Sequence, residues 1–215
     1  MLILATDTSG KYGSIALGRF EDAEHGQVLE ITPLEGGTFS AQLIPQISAL
    51  LSKHGFSKSD VDAFAVASGP GSFTGLRVGL AAVKALAEVL ARPVAAVSLL
   101  EVVAAAKSEA GAVAALDGGR SEIYCRTREG EERLLTGPEF LVVAKGGYVV
   151  TPDRSIAELA GSAGVRVHEI KRPDSGDIAR LGYQKIQRGE TITPEALDAN
   201  YIRRTDAELF TKPGV

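Results

Sequence analysis

The chain has 215 residues, 45% of them hydrophobic, with a formal charge of −4 and a pI near 5.5. That is material for one large domain or two small lobes, and the acidic balance argues against independent nucleic-acid binding, which needs a dense basic surface. A single cysteine, Cys125, excludes an internal disulfide, and the lack of a long apolar run or a basic secretory start points to a cytoplasmic protein without membrane contact.

In chain order, residues 2–6, 13–17 and 28–32 are short apolar or alternating runs separated by Gly, Asp and Ser, which predicts three meandering strands. A helix follows over 40–53, with Leu43, Ile44, Ile47, Leu50 and Leu51 at helical spacing and Ser40 as its cap. Pro45 lies late for a first turn, which shifts the expected start toward Gln42. A strand over 61–67 then enters Gly69-Pro70-Gly71-Ser72-Phe73-Thr74-Gly75-Leu76-Arg77-Val78-Gly79, and a helix over 74–91 leaves it. The turn needs unusual backbone angles, and Ser72 or Thr74 can cap the helix. It is neither a triphosphate loop, lacking Gly-Lys-Ser/Thr, nor a dinucleotide fingerprint, which requires another spacing. A helix start of this kind can hold an anion, but most such turns are structural.

The helix over 74–91 carries only Arg77, Lys84 and Glu88 as charges, all on one stripe. Covering one sheet takes an apolar stripe of about 100°, so a second partner is implied. Gly75, Gly79 and Ala82 keep the surface flat while Leu76, Leu80, Val83 and Leu86 supply area, and these seven are expected at a subunit interface, with Arg77 and Lys84 at its rim. The bland alternative is a helix sandwiched within its own domain. A strand over 93–97 and a helix over 98–109 complete the first half.

The opening then repeats. The strand ending in Asp7, Thr8 and Ser9 is echoed by one ending in Asp117, Gly118 and Gly119, which implies duplicated lobes over 1–100 and 101–215 with the two Asp turns facing a cleft. The second copy is leaner: short helices over 138–144 and 155–161, strands over 148–151 and 165–170, and a helix over 177–188. Asp7 and Asp117 read first as turn carboxylates accepting backbone N–H bonds. His25, His54 and His168 are far apart with no ligand spacing, so no metal site is expected. Arg203 and Arg204 read as a solvated chain end.

Two lobes that each open with strand, Asp turn and strand resemble the sugar kinase, heat-shock protein 70 and actin superfamily. That resemblance implies an α/β fold of two related actin-like or ribonuclease H-like lobes, the second reduced, with Asp7, Thr8, Ser9, Asp117 and Gly118 in the positions of phosphate-holding loops. The order of residues 4–9, 40–45, 69–79, 93–98 and 117–124 further resembles the TsaB family. Phe39 stands where that family often carries His, and Gly118-Gly119-Arg120 where Asp-Ala-Arg is common. The resemblance implies a non-catalytic subunit without its own cofactor, pairing through the long helix with TsaD, which transfers a threonylcarbamoyl group to adenosine beside the tRNA anticodon. It further implies TsaE as associated ATPase, self-pairing when alone, only indirect contact with tRNA, and room for a nucleotide at a subunit interface. The rival readings are a small-molecule kinase using Asp7 and Asp117, and a peptidase, for which Ser9, Ser72 and Ser121 lack a nearby base.

Overall fold

The computed structural model describes residues 1–21, 26–107 and 111–203; His25, Arg204 and the expected helix end at 109 lie outside them. Strands β1 (Leu2–Asp7), β2 (Gly13–Phe20), β3 (Gly26–Leu34), β4 (Ala63–Gly69) and β5 (Val94–Ser98) form one sheet in the order β3-β2-β1-β4-β5. β1 pairs antiparallel with β2 and parallel with β4. Both β1 and β4 are buried along their whole length, which is why each reads as an apolar run rather than an alternation.

The second sheet contains β6 (Ala112–Gly119), β7 (Glu122–Arg126), β8 (Glu132–Thr136), β9 (Tyr148–Thr151) and β10 (Arg166–Glu169), in the order β10-β9-β6-β7-β8. Read from its β8 edge, it repeats the first sheet strand for strand. β1 and β6 occupy equivalent central positions, each with an antiparallel hairpin partner on one side and a parallel strand on the other.

Helices α1 (Phe39–Lys53) and α2 (Phe73–Leu90) cover one face of the first sheet. α1 begins at Phe39, ahead of the start that Pro45 suggested, and Pro45 stands inside it. The ring is tolerated because Ala41 and Pro45 are both exposed, so the carbonyl that loses its donor can meet water. In the second lobe α4 (Gly137–Ala144) and α5 (Arg154–Ser162) have 8 and 9 residues, against 15 and 18 in α1 and α2. The strands shorten too, β7, β8, β9 and β10 having 5, 5, 4 and 4 residues against 8, 9, 7 and 5 in β2, β3, β4 and β5, but none is lost.

The third helix of each half crosses over. α3 (Leu99–Ala105), shorter than the expected 98–109, packs against β6 and β7, whereas α6 (Ser175–Gln187) lies across the first sheet. Gly182 lets α6 approach so closely that a Cβ there would meet the Ala65 methyl at 2.5 Å. Tyr183 stacks on Phe20 with ring centroids 4.9 Å apart, and Ser175 N donates to Ser14 Oγ at 3.0 Å. One core, including Ile3, Ala65, Leu100, Val103, Tyr148 and Ile178, thereby spans both sheets. The last strand of the first sheet ends at Ser98 and the first strand of the second begins at Ala112, while α3 and α6 each pack on the other half's sheet.

After α6 the chain returns over the first lobe as a strap. Ile192 N donates to Val94 O at 2.9 Å and Asn200 N to Ser68 O at 2.7 Å. Arg203, read from sequence as a solvated end, is instead bound, with Nη2 donating to Gly118 O at 2.7 Å.

Candidate functional site: paired Asp turns and an exposed helix face

The Asp7 turn is closed on itself. Asp7 Oδ1 accepts from Ser9 N at 2.8 Å and from Ser9 Oγ at 2.6 Å. Burial pushes the Asp7 pKa above its usual value; the two Ser9 bonds and Arg172 pull it back, and Asp174 adds to the rise. Thr8 Oγ1 donates to Gly75 O at 2.7 Å, and Ser9 O accepts from Ser72 N at 2.6 Å. The β1–β2 turn therefore sits on the glycine turn. A Cβ at Gly71, Gly75 or Gly79 would collide with Ser9 O, Thr8 O or the Thr8 hydroxyl, and one at Gly69 (φ +139°) with Asn200 O. The glycines of the motif mark close approach of protein to protein. Ser72 is the cap, its Oγ accepting from Gly75 N at 3.3 Å.

Asp117 is exposed, and its Oδ1 accepts from Gly119 N at 2.8 Å, the turn geometry expected from sequence. Its own N–H donates to Asp153 Oδ2 at 2.8 Å, and Asp153 Oδ1 pairs with Arg172, the cation that acts on Asp7. Asp153 thus holds the Asp117 turn directly, while its partner Arg172 reaches the Asp7 turn only through its charge. Gly118 is occupied on both sides: its carbonyl accepts from Arg203, and a Cβ would crowd Glu122 O and the Leu134 side chain. Sequence reasoning missed Asp153 and Arg172. The signal for Asp153 was its place after β9, where the glycine turn follows β4 in the first lobe.

The expected interface residues divide between two faces. Gly75, Leu76, Gly79, Leu80 and Val83 are buried in the chain's own core, Leu80 at 6% exposure and Val83 at 0%. Assigning the outward seam to them is corrected, because Gly75 and Gly79 must face Thr8 and the rest of that stripe follows them onto the sheet. Ala82 and Leu86 remain half-buried at its edge. Outward stand Phe73, Arg77, Ala81, Ala85 and Val89, the last 78% exposed. Beside them lies a groove of about 470 Å³ between α1 and α2, lined by Leu43, Ile44, Phe73, Val78, Ala81 and Ala82 among others. Ile44 is 49% exposed there. Among the described residues no helix is long and apolar enough to cross a membrane.

Residues 35–184 match the family model for TsaD, tRNA N6-adenosine threonylcarbamoyltransferase. The tRNA threonylcarbamoyladenosine biosynthesis protein TsaB of Escherichia coli K12 is 28% identical, with 96% of each chain aligned. The Haemophilus influenzae TsaB is 35% identical over 58% of this chain and 52% of its own. A crystal structure of an uncharacterized Pseudomonas aeruginosa protein with similarity to the peptidase YeaZ superposes with a TM-score of 0.74 at 30% identity, covering 94% of this chain and 99% of that one. With the duplicated mixed sheets, the Gly69–Gly79 turn and these relatives in agreement, the chain belongs to the TsaB family, within reach of the TsaD family model.

Proposed function

We propose that this chain is a non-catalytic dimerisation subunit in threonylcarbamoyladenosine modification of tRNA, docking on a TsaD-type transferase through the outward side of α2 and the adjacent side of α1. The observation that carries the reading is the apolar groove between these helices, with Ile44 and Phe73 exposed at 49% and 39% on a chain whose relatives are named TsaB. Apolar exposure of that kind on a helix pair suits helix-against-helix packing, and Ala81, Ala82 and Ala85 permit close approach. The same face accepts a second copy when the chain is alone. A TsaE-type ATPase and the tRNA are reached through the transferase, in keeping with a net charge of −4.

The Asp7 turn supports a role without chemistry. A carboxylate that is buried, pushed toward its neutral form and bonded twice to Ser9 is poorly placed to hold a metal-bound phosphate, which the rival kinase reading requires. The test is co-purification with a TsaD-type subunit. Ala81→Arg, at an exposed position, should leave the fold intact and lower affinity by roughly a hundredfold, since each ~1.4 kcal/mol is tenfold and a buried unpaired guanidinium costs several. Asp7→Asn should leave tRNA modification by the reconstituted complex intact. Retained co-elution of Ala81→Arg together with loss of modification in Asp7→Asn would overturn the proposal.

A further inference from the structure

The strap after α6 touches both the outward end of α2 and the second lobe. At α2, Arg77 Nε donates to Tyr201 Oη at 2.9 Å, and the guanidinium lies 3.6 Å over the Phe73 ring, itself 5.1 Å from the Tyr201 ring. Phe73 and Arg77 both line the α1–α2 groove. At the second lobe, Asn200 Nδ2 donates to Glu132 Oε2 and Arg203 Nη2 to Glu122 Oε2, each at 2.7 Å. Glu132 is a fixed post, because its other oxygen accepts from Ser98 Oγ at 2.7 Å and pairs with Arg126 at 3.2 Å. Between the two ends, Gly69 leaves the space in which the Asn200 carbonyl lies.

These anchors sit on residues 200, 201 and 203. So short a stretch spans at most about 10 Å, so one end cannot come free without loosening the other. We propose that residues 200–203 form a clasp coupling the α1–α2 groove to the β6–β7 end of the second lobe. An occupant that moves Phe73 or Arg77 pulls on Tyr201 and weakens the Arg203 and Asn200 contacts, and disturbance of Glu122 or Glu132 changes how Arg77 is presented in the groove. Such coupling is reciprocal. That the groove is a docking face rests on the function proposed above; the coupling is a property of the isolated chain.

Hydrogen exchange on the full chain tests it. Arg203→Ala and Glu122→Gln each cut the clasp at its second-lobe end, from opposite partners. Both should speed exchange about tenfold at residues 199–202 and again at 73–78, while β1 and α5 keep their protection. Arg77→Ala should reciprocally speed exchange at residues 118–123. Acceleration confined to the mutated end, or none, overturns the clasp. Ala81→Arg separates the two proposals: full association with the transferase in that variant removes the docking reading, whereas the exchange results decide the clasp whichever way association falls.

Discussion

Asp7 keeps a carboxylate where water barely reaches, and that has a pH signature. Its folded pKa lies above the ordinary carboxylate value, so the folded chain binds this proton more tightly than the unfolded chain. The stability it contributes is complete below the ordinary pKa and is lost as pH rises through the folded value. Asp7→Asn keeps an Oδ1 acceptor for Ser9 and carries no charge. Its Tm relative to the parent should therefore be close to zero at pH 3 and positive at pH 8, and a lower Tm at pH 8 would mean that the turn needs the ionised carboxylate. Cys125 makes a second residue-scale case, since burial in β7 pushes its thiol up to about 12. At pH 8 an aromatic disulfide reagent should label it only after denaturant is added; labelling of native protein within minutes would show that β7 opens.

Among the elements, α2 shows where the sequence was readable and where it was not. Its existence and its apolar breadth were legible in residues 69–91, and its cap was narrowed to Ser72 or Thr74, of which Ser72 serves. Its orientation was not, because Leu76, Leu80 and Val83 on one side are matched by Val78, Ala82, Ala85 and Val89 on another. The deciding information was the pair Gly75 and Gly79, read as flat ground for a partner when it is room for the chain's own Thr8. This gives a prediction with a contested sign. Gly75→Ala gains up to about 1 kcal/mol of helix propensity, but its methyl strikes the Thr8 carbonyl and forces the β1–β2 turn to move, an overpacking cost of about 1–3 kcal/mol. The net effect should be a lower Tm. Leu80→Ala should cost about 2–5 kcal/mol in denaturant unfolding, whereas Ala85→Arg, fully outside, should stay within about 0.5 kcal/mol. Equal losses at 80 and 85 would put α2 in the wrong rotation.

For the molecule as a whole, the repeat of strand and Asp turn at residues 2 and 112 was enough to predict two related lobes, and both sheets follow it. What no periodicity revealed is the exchange of α3 and α6. The buried side of α6, Ile178, Ala179, Gly182 and Tyr183, is an amphipathic stripe that fits either sheet, and only its partners Ala65, Phe20 and Ser14 say which one it takes. The Arg172–Asp153 bridge escaped for a related reason: its members lie 19 residues apart and meet only once β9 and α6 are placed. Because one core spans both sheets, thermal unfolding of the full chain should be a single transition seen alike by far-UV circular dichroism and tyrosine fluorescence; two separated transitions would mean that the lobes melt independently.

The same exchange fixes what half of this chain can do. Each half lends its third helix to the other, so the molecule is built like a domain-swapped homodimer whose two copies have been fused head to tail. Residues 1–107 alone keep α1 and α2 but leave the Ile3, Ala5 and Ala65 side of their sheet bare, because its cover, α6, lies in the second half of the chain. Residues 1–107 expressed alone should therefore aggregate, and adding residues 111–203 as a second fragment should restore a soluble complex by size-exclusion chromatography.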